Sequence, residues 1–106
     1  MGNYKEEIQT LNKMIFINNN SWWILTRKGV AYQKLNDSNS AKRIFHSVDS
    51  LCQIKIRKDP ENALLIINYI TFKTIAYGKT AGIKELNIQI KNHPWLKSKI
   101  VNGTNL

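Results

Sequence analysis

The chain has 106 residues, with 16 Lys+Arg against 7 Asp+Glu, a formal charge of +9 and 42% hydrophobic residues. That length suits one small domain over 1–106, and the apolar fraction is too high for a disordered chain. A single cysteine, Cys52, excludes an internal disulfide and a Cys-based zinc site, and Asn68 and Lys73 interrupt the longest apolar run before it reaches the roughly 18 residues of a membrane helix.

The N-terminus places Glu6 and Glu7 where a secretory signal needs positive charge, so a cytoplasmic protein is expected. Residues 4–12 carry Tyr4, Ile8 and Leu11 along one edge at helical spacing and predict a short helix. Lys13–Ile17, Trp22–Thr26 and Val30–Leu35 then cluster β-branched and aromatic residues between the turn-prone Asn18–Ser21 and the loop Arg27-Lys28-Gly29. These read as a three-stranded antiparallel meander. A helix from Trp22 to Leu35, with Thr26 as an internal cap, is the competing reading.

Residues 40–52 give the clearest element. Asp37-Ser38-Asn39-Ser40 offers several N-caps, and Ala41, Ile44, Phe45, Val48, Leu51 and Cys52 recur at i, i+3, i+4, i+7. An amphipathic helix lying on a core follows, with Cys52 buried as a small hydrophobe. Gln53–Lys58 alternates apolar and basic residues, as a half-buried strand does. Asp59-Pro60-Glu61-Asn62 fits a type I turn and equally a helix start. Ala63–Tyr77 is apolar almost all round, and its Ile, Thr and Phe content tips it toward strand until Gly78 breaks it. Ala81–Lys91 and 92–100 form a helical tail, with Pro94 in a first helical turn and Trp95 as the anchor. The expected fold is therefore α+β: a small antiparallel sheet, made of the meander and a second hairpin, packed against one amphipathic helix with a helical C-terminal tail. An all-α bundle is the alternative.

For function, the charge is the main signal. After Asn62, Lys73, Lys79, Lys84, Lys91, Lys97 and Lys99 face the single acid Glu85. Lysine-rich surfaces hold phosphate backbones with little base preference. A non-enzymatic protein binding nucleic acid through a diffuse basic face is expected, with Arg27, Lys28, Lys42, Arg43, Lys55, Arg57 and Lys58 as contacts. Trp22 and Trp23 would form a stacking or interface surface, on opposite faces of a strand. The abundance of Ile, Lys and Asn suggests an AT-rich genome, of a phage or a low-GC bacterium.

Two further readings stand beside this one. In size, charge and the apolar segment from Ala63, the chain resembles small helical bacteriocin immunity proteins, which implies an interaction inhibitor with an acidic protein partner; no motif assigns it to a family. A metal-independent ribonuclease would use His46, with Asp49 three residues on and Lys42 one turn before, or His93. No metal constellation or phosphate loop is present, and no cofactor is expected.

Overall fold

A computed structural model describes residues 3–17 and 21–99, and every element among them is helical. In chain order these are α1 (Tyr4–Ile17), α2 (Trp22–Lys34), α3 (Ser38–Lys58), α4 (Ala63–Tyr77), α5 (Lys79–Asn92) and α6 (Trp95–Lys99). The chain divides into two compact units, Met1–Gln53 and Ile54–Leu106, with the division inside α3.

The α+β expectation is thus overturned in favour of the all-α alternative. No strand forms among the described residues. Lys13–Ile17 completes α1, Trp22–Thr26 and Val30–Lys34 belong to α2 with Leu35 as its C-cap, Gln53–Lys58 ends α3, and Ala63–Tyr77 is α4. The turn expected at Asn18–Ser21 falls mostly outside the described residues.

In the N-terminal unit α1 packs on α2, and Arg27 Nη2 approaches Glu7 Oε1 at 3.6 Å. Ile8 and Leu11 of α1, Ile24 and Ala31 of α2, and Ala41, Phe45, Val48 and Cys52 of α3 are buried. Gly29 is where α2 and α3 meet, because a Cβ there would stand 2.9 Å from Phe45 Cδ1. Thr26 is 1% exposed, and its hydroxyl donates to the Trp22 carbonyl at 2.7 Å, so a β-branched polar residue sits inside a helix without an orphan group.

The link from α2 to α3 is tight. Asn36 adopts φ 62°, Asp37 N donates to Tyr32 O at 2.9 Å, and Asn36 N donates to Gln33 O at 3.0 Å. This is a Schellman ending with Asn in the left-handed position. Asp37 at once caps α3: Ser40 N donates to its Oδ1 at 3.1 Å and Ser40 Oγ to its Oδ2 at 2.7 Å. These bonds from Ser40 hold the Asp37 carboxyl below the usual carboxylate range.

In the C-terminal unit, both readings of Asp59–Asn62 prove partly right. Asn62 N donates to Asp59 O at 3.2 Å, closing a turn with Pro60 at its second position, but the turn joins two helices. The cap is Asn62 rather than Asp59, its Oδ1 accepting from Leu64 N at 3.1 Å. Helix α4 ends at Gly78, whose φ of 100° and ψ of 170° lie in a region that only glycine occupies cheaply; the same residue starts α5. The resulting α4–α5 hairpin closes at Gly82, where a Cβ would stand 3.0 Å from Thr74 Cβ and 3.2 Å from Thr74 Cα. Ile66, Tyr69, Phe72 and Ala76 form the buried side of α4. At the C-terminal end Leu96, 0% exposed, is the anchor of α6, whereas Trp95 is half-buried and tilts against His93 at 5.6 Å.

The misread strands share one cause. β-Branched and aromatic residues lose at most about 0.7 kcal/mol each in a helix, less than burial of one such side chain returns at about 25 cal/mol/Å². In α3 the buried stripe Ala41, Phe45, Val48, Cys52 continues to the half-buried Ile56, so Ile54 and Ile56 are not one strand face. Gln, Lys and Arg at the intervening positions favour helix, and nothing stops it before Asp59-Pro60.

Candidate nucleic-acid interface

The basic sheet face expected from Lys55, Arg57 and the Arg27-Lys28 loop does not form. Arg27-Lys28-Gly29 lies in the middle of α2, and Lys55 and Arg57, two residues apart on a helix, point to different sides. Arg27 is exposed and shares its charge with Glu7; Lys28 is half-buried.

Lys42 and Arg43 are neighbours in sequence, about 100° apart around α3. Both are exposed in the second turn of α3, and exposed His46 lies one turn beyond Lys42 on the same side. The cap below them fixes this end of the helix: Arg43 Nη2 donates to Ser40 Oγ at 3.3 Å, and Ser40 in turn is bonded to Asp37. Ser47 Oγ donates to the Arg43 carbonyl at 3.0 Å. Asp37 and Arg43 therefore bracket Ser40, and the Arg43 charge is one of the causes that lower the Asp37 carboxyl.

At the other end of α3, Arg57 and Lys58 are exposed and Lys55 is half-buried. Three cations in a last helical turn stabilise the partial negative charge of the helix C-terminus, which accounts for their presence apart from any ligand. Trp22 and Trp23 open α2 rather than a strand. They are about 100° apart around the helix instead of on opposite faces, with Trp22 half-buried and Trp23 44% exposed.

The proposed His46–Asp49 pair faces a competitor, because Asp49 Oδ1 accepts from Gln53 Nε2 at 2.7 Å. His93 sits at the C-cap of α5 beside Trp95. No group of three or more His, Cys, Asp or Glu among the described residues could hold a metal ion. No helix among them is long and apolar enough to cross a membrane.

Sequence reasoning missed a groove of about 490 Å³ on the α4–α5 hairpin, lined by Lys73, Tyr77, Ala81, Lys84, Glu85 and Ile88. Lys73 Nζ stands 5.4 Å from the Tyr69 ring centre and 5.3 Å from that of Tyr77, a cation between two aromatic faces. The signal was Tyr69, Lys73 and Tyr77 at i, i+4, i+8, which has meaning only once the segment is helical. No family model matches the chain, and no curated protein or solved structure is significantly similar to it.

Proposed function

We propose that the chain is a non-enzymatic binding protein for nucleic acid, contacting the phosphate backbone without base preference through the outer face of α3. The observation that carries this reading is the exposure of Lys42 and Arg43, successive residues on a helix end whose geometry is set by the Asp37–Ser40 cap. Arg57, Lys58, Arg27 and Lys28 add a general positive field that raises the rate of encounter with a polyanion. The formal charge of +9 supports the same class of partner.

A salt titration of a fluorescent mixed-sequence oligonucleotide, followed by anisotropy, tests it. The logarithm of the binding constant should fall linearly with the logarithm of salt concentration. Replacing Lys42 and Arg43 together with Ala should reduce the slope by about 0.9 for each duplex phosphate that the variant no longer neutralises. Absence of binding at low salt, or an unchanged slope in the double variant, overturns the reading.

One observation supports a second reading, an inhibitor acting through protein contact: Trp23 is 44% exposed beside the half-buried Trp22. That reading predicts a stoichiometric protein complex that survives nuclease treatment and is abolished by Trp23→Ala.

A further inference from the structure

The groove on the α4–α5 hairpin takes its walls from the two helices that meet where Gly82 approaches Thr74. Lys73 and Tyr77 stand one turn apart on α4. On α5, Ala81, Lys84, Glu85 and Ile88 recur at i, i+3, i+4 and i+7, so each set lies along one side of its helix. The volume of about 490 Å³ falls within the range of about 300–1,000 Å³ that small-ligand sites occupy.

Three kinds of group meet there. The first is an aromatic ring held in place. Buried Phe72 makes a T-shaped contact with the Tyr77 ring, centres 5.9 Å apart, and Lys73 Nζ stands 5.3 Å from its centre, yet Tyr77 is 50% exposed. The second is positive charge, on half-buried Lys73 and exposed Lys84. The third is a positioned acceptor. The amide of Gln89, a residue only 9% exposed, donates to Glu85 Oε2 at 2.8 Å, which orients the carboxylate and leaves Oε1 to accept from a further donor.

Together these groups select the ligand. A bare anion would use the lysines and leave the Tyr77 ring and the 42% exposed Ile88 in water. A fatty-acid tail laid along the ring would strip water from the Glu85 carboxylate without giving it a donor. A planar base that carries an amino group and a phosphate suits all three. Its ring stacks on the aromatic face, its amino group donates to the carboxylate, and its phosphate meets the ammonium groups.

We propose that this groove binds one unpaired nucleotide, with its base stacked on Tyr77, its exocyclic amino group donating to Glu85 and its phosphate held by Lys73 and Lys84. A free nucleotide and a residue of a single strand offer the same chemistry. None of the groove's residues belongs to α3. Stacking needs a base that is out of a duplex, whereas the Lys42 and Arg43 reading uses phosphates alone, so the two proposals fail separately.

Titration of the isotope-labelled full chain with adenosine monophosphate, followed by amide chemical shifts, tests the site. Saturable shifts should concentrate at Lys73, Tyr77 and residues 81–88. Adenosine and inorganic phosphate, each offering half of the ligand, should bind about tenfold more weakly or worse. Uridine monophosphate, which has no amino group, should also bind more weakly, and Glu85→Gln should erase that preference because an amide both donates and accepts. Tyr77→Ala should weaken the nucleotide about tenfold, whereas Tyr77→Phe keeps it. Lys84→Gln, at an exposed position, should weaken the nucleotide and leave adenosine unchanged. A short oligodeoxyadenylate that binds more tightly than the monophosphate identifies a single strand as the source, and one that binds no better identifies the free nucleotide. The double variant Lys42→Ala, Arg43→Ala should bind the monophosphate as the wild type does. Absence of saturable shifts at millimolar nucleotide, equal binding of inorganic phosphate or of uridine monophosphate, or a Tyr77→Ala chain with unchanged circular dichroism and undiminished affinity overturns the proposal.

Discussion

Helices α3 and α4 follow one another in the chain and are built on opposite plans. In α3 the buried residues Ala41, Phe45, Val48 and Cys52 share one side, and charged and amide residues fill the other. In α4 the buried Ile66, Tyr69, Phe72 and Ala76 are faced across the helix by Leu64 and Ile75, which are as apolar and yet 64% and 50% exposed. A helix with a directional pattern carries its own instruction about which side faces the core. A helix apolar all round does not, and its neighbours choose.

The largest effects that test this contrast come from the two buried phenylalanines. Phe45→Ala in α3 and Phe72→Ala in α4, at 2% and 0% exposure, should each cost about 3–5 kcal/mol in denaturant unfolding. A small loss for Phe72→Ala would mean that α4 presents a different side to the core. Gly82→Ala comes next. Its Cβ meets Thr74 backbone as well as side chain, so the α4–α5 hairpin must open, at a cost of about 1–3 kcal/mol that Thr74→Ala relieves only in part.

Removal of the α4 cap in Asn62→Ala should cost about 1 kcal/mol by thermal unfolding. Leu64→Gln, on the exposed side of the same helix, should change the stability of the isolated chain by no more than about 0.5 kcal/mol, in contrast to the buried side.

The smallest effect belongs to α3. Because Ser40 lowers the Asp37 carboxyl in the folded chain, its contribution is fully present above the ordinary Asp value and is lost as pH falls through the lowered one. Asp37→Ser keeps a cap that does not titrate. The stability gap between wild type and this variant should therefore narrow as pH drops below about 4, and a gap independent of pH would remove Asp37 as the ionised cap.

Legibility in the sequence follows the same contrast. The core side of α3, its start near Asp37–Ser40 and the burial of Cys52 could all be read from spacing, because an apolar stripe at period 3.6 has one structural meaning. Its end could not. Ile54 and Ile56 alternate with Lys55 and Arg57 as a strand would, and only the continuation from Cys52 to Ile56 shows that the helix runs on. For α2 the cluster Trp22-Trp23-Ile24-Leu25-Thr26 pointed to strand by propensity. The bond from Thr26 to Trp22 O and the packing of Gly29 on Phe45 decided otherwise.

The same holds for the candidate interface. The exposure of Lys42 and Arg43 on a helix was legible because their helix was. The pairing of Lys55 with Arg57 on a common face depended on a strand that does not form. The grip of Tyr69 and Tyr77 on Lys73 was hidden behind the same error in α4, although fifteen uninterrupted residues between Asn62 and Gly78 are longer than strands usually run.

By itself the sequence determined the charge, the absence of a disulfide framework, the N-capped amphipathic core of α3 and the helical tail. These follow from composition and from patterns with a single period. Tertiary structure alone decided that α1, α2 and α4 are helices along their whole length, that Gly29 and Gly82 are points of close approach, and that Leu64 and Ile75 face outward. Local preference between strand and helix is worth tenths of a kcal/mol per residue, and burial against a partner is worth several times that, so packing between residues distant in sequence settled what propensity left nearly balanced.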